Sequence, residues 1–414
     1  MPGHKGVQFL GLEQSDITEI KGADELYSPE GIILESEENA SALFSTAKTV
    51  YSAGGSTQSI HAMLYLAKIR SRSKTVFAAR NAHKAFLFAC AKLDCSIEWL
   101  YPEETSHLCS CIITDKILSE AFVNADELPF AVYITSPDYL GRMADIEALS
   151  AVCRQYNVPL LVDNAHGSYL AFCEENQHPI SLGADMCCDS AHKTLPVLTG
   201  GGYLHIAKDD RFGFAENAVQ AMGIFGSTSP SYLILQSLDL CNKYIDEKIK
   251  EDLPLCCQKI EEIRAIMPVA DASDEPLKIT ADMRCVANTD VFEKAGIEPE
   301  FSDGDFTVFM LSPQNSDEDL AKLKEAFSKI QVSKIICEDP PVIPRGKQKI
   351  SVREAIFSLS ETVDMHNAVG RICAAPTVSC PPAIPIAVSG EEITPQHIEL
   401  FKKYNINRIS VVKK

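Results

Sequence analysis

No run of apolar residues in the chain approaches the roughly 20 that a bilayer-spanning helix needs. The opening "MPGHKGVQFL" also lacks the charged-then-apolar layout of a secretory signal peptide. These two absences lead us to expect a cytoplasmic protein with no membrane partner. Positive charge is scarce as well: 38 Lys and Arg stand against 57 Asp and Glu, a formal net charge of -19. Such a surface repels phosphate backbones and anionic headgroups, which argues against general nucleic-acid binding and is compatible with a cationic small substrate. Internal repeats, low-complexity tracts and long flexible linkers are missing too.

What is present is an ordinary globular composition. At 414 residues and 46% hydrophobic, the chain can bury a sizeable core and form two domains. Its fifteen cysteines are scattered through apolar stretches of a long chain with no export signal, so reduced, mostly buried thiols are expected. Cys187-Cys188 and Cys256-Cys257 read as buried packing. His107, Cys109 and Cys111 match no common zinc spacing, and no metal site is expected.

From about residue 36 to 210, short apolar strands alternate with helical patterns, which marks βαβ units and a mainly parallel sheet. The candidate strands are "KTVFAA", "CSIEWLY", "PFAVYIT", "VPLLVD", "ADMCCDS" and "GYLHIA", and "IEALSAVCRQY" fits a crossover helix. A long helical pattern begins near Ser229. Beyond it, "FTVFML", "DEDLAKLKEAFSKI" and a Pro-rich stretch at 376–385 suggest a smaller α+β domain. We therefore expect an α/β large domain over residues 1–250 and a smaller C-terminal α+β domain over 251–414.

In open α/β sheets, ligands bind beyond the carboxyl ends of the strands. Four such places carry chemistry. "VYSAGGSTQS" puts Gly54, Gly55, Ser56 and Thr57 at a helix start, where free N–H groups and hydroxyls can cradle a phosphate or merely cap the helix. "RNAHKAF" supplies Arg80, His83 and Lys84 after a strand, with His83 readable as a cap or as an aromatic cover. "VPLLVDNAHGS" ends an apolar strand on Asp163, with His166 three residues on. That carboxylate either caps a turn or faces a cation, because burying it alone is costly. "DSAHKTLPVLTGGGYLHI" sets Ser190, His192 and Lys193 before three glycines, where a buried amine could be tuned for covalent chemistry. Pyridoxal 5'-phosphate needs this combination: a phosphate anchor, a ring cover, an anion for the pyridine nitrogen and a lysine.

In these motifs the chain resembles the Orn/Lys/Arg decarboxylases of pyridoxal-phosphate fold type I, in their short form without an N-terminal wing domain. The resemblance runs through "MPGHKG", "GADELYSPEGIILESEENASALF", "SAGGSTQS", "RNAHKAF", "DSAHKTLPVLTGG", "GSTSPSYLILQSLD" and "PPAIPIAVSGEEIT". It implies an aspartate-aminotransferase-like large domain. By the same resemblance, Lys193 is the Schiff-base lysine, Asp163 the partner of the pyridinium nitrogen, and His83 the stacking imidazole. His166 would sit near the ring hydroxyl. Gly55, Ser56, Thr57, Ser190 and His192 would surround the phosphate, and Thr228 would reach the phosphate of the neighbouring subunit, which requires a homodimer. Thr228 can also be read as the N-cap of the long helix. Glu391 is the candidate for the distal cationic group of the substrate, and its other reading is a solvated carboxylate at a helix start.

Departures from the family pattern bear on substrate choice. Asn164 replaces the usual acidic residue, Cys380 an aromatic, Ala383 a glycine and Ser389 a proline. Family members usually carry a segment before "MPGHKG", so the chain is either a short form or lacks its start, and a decamer is not expected. The implied reaction is decarboxylation of arginine, lysine or ornithine to the amine, as in polyamine synthesis. Two other readings stay open. One is an aminotransferase or lyase on the same scaffold, with Arg345, Arg353 or Arg371 holding the substrate carboxylate. The other is a binding protein that has lost activity.

Overall fold

A computed structural model describes residues 1–103, 107–333, 343–378 and 383–413. Through residue 247 the elements, in chain order, are α1 (Ile32–Leu43), β1 (Lys48–Ser52), α2 (Gly55–Lys68), β2 (Thr75–Ala79), α3 (Lys84–Leu93) and β3 (Ser96–Leu100). They continue with α4 (Asp115–Asn124), β4 (Ala131–Thr135), α5 (Ile146–Tyr156), β5 (Leu160–Asp163), β6 (Met186–Asp189) and α6 (Ala191–Thr194). The last are β7 (Gly202–Ile206), α7 (Ala218–Phe225) and α8 (Tyr232–Glu247).

The chain folds as two compact units. The first comprises Met1–Ser73, Leu128–Ser136 and Asp145–Pro254, and the second Lys74–Glu127, Pro137–Ala144 and Leu255–Lys414. In the first unit five strands lie in the order β1-β7-β6-β5-β4. β4, β5 and β6 run parallel, while β7 is antiparallel to both β6 and β1. The strands β5, β6 and β7 are buried at every position. This explains why they read as continuous apolar runs rather than alternating ones. α5 is held at its start by Asp145, whose side chain accepts from the Ala148 amide, and closes on Asn157 in the left-handed conformation. Its buried residues Ile146, Leu149, Ser150, Val152 and Cys153 form one helical stripe.

In the second unit β2 and β3 pair in parallel, joined through α3. Strands Lys278–Asp282, Phe306–Met310 and Phe301–Ser302 form an antiparallel three-stranded sheet, and Ser360–Asp364 pairs with Arg408–Val412. Helix Asp317–Ser328 starts from a capping box between Ser316 and Asp319. Phe301, Val308, Ile386, Phe401 and Ile409 belong to the core of this unit. Residues 379–382 of the Pro-rich stretch, Cys380 among them, lie outside the described residues. The thirteen described cysteines are all free and ten of them are buried, as expected of reduced thiols. No helix among the described residues is long and apolar enough to cross a membrane.

Candidate active site

Asp163 closes β5 and is 2% exposed. Tyr133 on the adjacent β4 donates its hydroxyl to Oδ2 at 2.9 Å, and the Ala165 amide donates to Oδ1 at 3.2 Å. Burial pushes the Cys188 thiol well above its ordinary value, and the Asp163 charge adds to the shift. Cys188 therefore stays protonated and donates to Oδ1 at 3.6 Å. Asp163 does cap its turn, but all three of these donors are neutral. The cation that a buried carboxylate calls for is not among them.

Two short polar contacts tie the neighbouring motifs together. Lys193, half-buried in the single turn α6, places Nζ 2.9 Å from Nε2 of the buried His166. Ser190 donates its hydroxyl to Ser56 Oγ at 2.9 Å. Lys193 thus reaches back to the loop that leaves Asp163, while Ser190 meets the first turn of α2. Gly55 begins that turn at φ +65°, in the left-handed region that favours glycine, and donates its amide to the Gly200 carbonyl at 2.7 Å. The Ser56 and Thr57 amides follow in the same turn, where the helix offers them no carbonyl and its dipole favours an anion. A Cβ on Gly202 would lie 2.6 Å from the Asp189 carbonyl oxygen, so glycine is what lets β7 approach β6 here.

His192 donates Nδ1–H to the Gly201 carbonyl at 2.8 Å. Burial lowers its pKa, against the opposing pull of that bond, so the ring is neutral at pH 7 with its lone pair on Nε2. Thr228 is exposed in the segment between α7 and α8, and Ser231 occupies the N-cap position of α8. The capping reading of Thr228 is therefore wrong: α8 starts three residues later than a cap at Thr228 would require.

His83 and Glu391 belong to the second unit. His83 caps α3, its Nδ1 accepting from the Ala85 amide at 3.2 Å. Glu391 is 2% exposed and is not the solvated carboxylate of the alternative reading. Its Oε2 accepts from the Val388 amide at 3.0 Å and lies 3.9 Å from His397 Nε2. The helix Pro395–Lys403 starts only after Thr394, so the Glu391 carboxylate serves its own turn instead. Arg353 donates to the Ala91 and Lys92 carbonyls at the end of α3, and Arg371 to Glu361 and the Val412 carbonyl. Arg345 stacks over Tyr101 at 4.3 Å.

Two of the departures have local explanations, while nothing in the structure explains Ser389. Ala383 holds φ +58°, so the backbone shape suited to glycine is kept at a cost of about 1–2 kcal/mol. Asn164 is buried and donates Nδ2–H to Asp189 Oδ1 at 2.7 Å. His107 does not gather with Cys109 and Cys111 around a common point. Its Nε2 lies 2.6 Å from Asp303 Oδ2, and Tyr404 donates to the same oxygen at 3.0 Å.

Comparison with known proteins gives the family and the fold. The model of a family described as Orn/Lys/Arg decarboxylase, major domain, matches residues 5–345. An uncharacterized protein of Bacillus subtilis, YaaO, is 28% identical, the match covering 95% of this chain and 86% of that one. An arginine decarboxylase of the same organism is 27% identical over 97% of this chain and 89% of its own. In three dimensions, a lysine decarboxylase of Francisella novicida superposes with a TM-score of 0.80 at 15% identity, covering all of this chain and 78% of that one. The constitutive lysine decarboxylase of E. coli gives 0.76 at 16% identity, covering all of this chain and 79% of its own. The architecture is that of pyridoxal-phosphate fold type I, and the chain belongs to the Orn/Lys/Arg decarboxylase family.

Proposed function

We propose that this protein is a pyridoxal-phosphate-dependent decarboxylase of a basic amino acid, arginine, lysine or ornithine, releasing the amine and carbon dioxide. The observation that carries the reading is Asp163, a buried carboxylate with three neutral donors, set three residues before the histidine that Lys193 touches. Pyridoxal phosphate fits this donor set. Asp163 would hold the proton on its ring nitrogen, Lys193 its aldehyde carbon, and Ser56, Thr57, Ser190 and His192 its phosphate, with Gly55, its amide spent on Gly200, leaving room beside it. His166 would lie by the ring hydroxyl and His83 over the ring. When bound, the cofactor supplies the sink for the electron pair left as the bond from Cα to the carboxylate breaks.

The remaining work falls to side chains of the chain itself. Lys193 would return a proton to Cα, and its 2.9 Å contact with His166 supports that role by holding Nζ beside the Asp163 loop. The His192 ring, neutral through burial, can accept a proton as an anion settles beside it. Glu391 is the candidate for the distal cation of the substrate. Arg353 and Arg371 spend their guanidinium groups on backbone carbonyls and Glu361, which weakens the aminotransferase reading. Purified protein with pyridoxal phosphate and a pooled amino-acid mixture, without a keto acid, should release carbon dioxide and one new amine by mass spectrometry. Turnover that needs a keto acid and releases no carbon dioxide would replace this reading with amino transfer.

We further propose that the active unit is a homodimer in which the partner subunit's Thr228 reaches each phosphate. Because Thr228 is exposed and caps nothing, Thr228→Ala should change stability by less than about 0.5 kcal/mol while weakening cofactor binding. Mixing Lys193→Ala subunits with Thr228→Ala subunits should then create one intact site per hybrid and raise activity above either parent. Confirmed hybrids that stay at parental activity would show that each chain builds its own site.

A further inference from the structure

Behind the Asp163 side of the sheet lies a second convergence of polar side chains. Cys187 stands opposite His205 in the β6–β7 register, and Asp189 follows two residues after Cys187. Alternation along the strands puts these three on one face, while Cys188 turns to the other, toward Asp163. His178, from the loop before β6, joins them. Asp189 Oδ2 lies 3.2 Å from His178 Nε2 and 3.3 Å from His205 Nε2. Cys187 Sγ lies 3.8 Å from His178 Nε2 and 3.9 Å from Asp189 Oδ1. All four residues are at most 1% exposed.

We propose that His178, Asp189 and His205 form a buried binding site for a divalent transition metal of the zinc type, with Cys187 beside it. Ligand lengths of about 2.0–2.1 Å for nitrogen or oxygen put tetrahedral donors about 3.3 Å apart. The two spacings from Asp189 Oδ2 to the imidazoles follow that pattern. They are long for a charge-assisted hydrogen bond from imidazole to carboxylate, about 2.7–2.9 Å.

Orientation and charge point the same way. His205 Nδ1 is 2.9 Å from Thr49 Oγ1, which directs Nε2 at the cluster, and the Asn164 amide takes Asp189 Oδ1. No lysine or arginine of the described residues pairs with the buried Asp189; its ion-pair partners are the two imidazoles. A dication would outweigh the single negative charge that Asp189 brings to this buried cluster. Phe44 covers the cluster, its ring centroid 4.5 Å from that of His205 and 5.7 Å from that of His178. With all three donors at most 1% exposed, no substrate reaches the ion and its role would be structural. It would pin the ends of β6 and β7, and through Asn164 that of β5, directly behind Ser190 and Asp163. The spacing of these residues in the chain matches no common zinc motif, because the set is assembled by strand register.

Being buried, the site would load during folding, so the test uses full-length protein from zinc-supplemented expression, purified under reducing conditions. It should retain about one equivalent of zinc per chain after desalting, and His178→Gln and His205→Gln should each cut this at least about tenfold. Protein from cobalt-supplemented expression, stripped of pyridoxal phosphate, should show intense tetrahedral d–d bands, which His205→Gln should remove. Wild-type protein that folds without stoichiometric metal under both conditions would overturn the proposal and leave a hydrogen-bonded His–Asp–His cluster. So would weak octahedral bands that His205→Gln leaves unchanged. Neither reading of the wild-type protein depends on a variant that folds, nor on the reaction proposed above.

Discussion

Lys193→Ala is expected to abolish covalent retention of pyridoxal phosphate and to lower turnover by at least about 10²–10⁴-fold, the range for losing one positioned proton-transfer group. The geometry behind this is the 2.9 Å contact from Lys193 Nζ to His166 Nε2. It holds the amine at the loop beyond Asp163 on a turn too short to swing freely. Borohydride reduction of the wild-type holoenzyme, followed by peptide mapping, should place the adduct on the peptide containing "DSAHKTLP". Lys193→Arg should not rescue activity, because a guanidinium stays protonated and cannot form the imine. An adduct on Lys84, the other lysine next to a histidine after a strand, would move the attachment point out of α6 altogether.

The parts of this fold that were legible in the sequence are those whose physics is local. β5, β6 and β7 announced themselves as apolar runs because both faces are buried, and α5 matches its periodic stretch from Ile146 to Tyr156. β1 is not marked by any such pattern. Its residues "KTVYS" run straight into the Gly-Gly turn, and its strand partner among the described residues is β7, some 150 residues on, which no nearby pattern can indicate. The same division runs through the site. Asp163 with His166, and Ser190 with Lys193, lie within three residues of each other, so the chemistry was visible in short words. The contacts Ser190–Ser56 and Lys193–His166 join words far apart, and only the strand order brings them together. The solvated reading of Glu391, the alternative to substrate binding, arises because the residue stands before a helix start. Its burial comes from Val388, His397 and the approach of Gly346, where a Cβ would lie 2.9 Å from its carboxylate.

Asp163→Asn is expected to keep the fold and the cofactor and still lose about two to four orders of magnitude in turnover. The substitution is nearly isosteric, and the asparagine oxygen can accept from the Ala165 amide as Oδ1 does now. The new amide would then face the Tyr133 hydroxyl, which can turn from donor to acceptor, so this contact also survives in altered form. What cannot survive is the negative charge. Losing one member of a buried charge pair costs about 3–5 kcal/mol, and at about 1.4 kcal/mol per decade this gives the stated loss if it falls on the transition state. Cofactor absorbance in the visible and the thermal melt should remain close to wild type, which separates a lost charge from a lost fold. Asp163→Glu keeps the charge but lengthens the side chain within the β4–β5–β6 layer, so it should recover part of the activity at a visible cost in stability. Near-normal turnover in Asp163→Asn, with cofactor bound, would mean that the ring nitrogen takes its proton from elsewhere and that Asp163 is present only to close its turn.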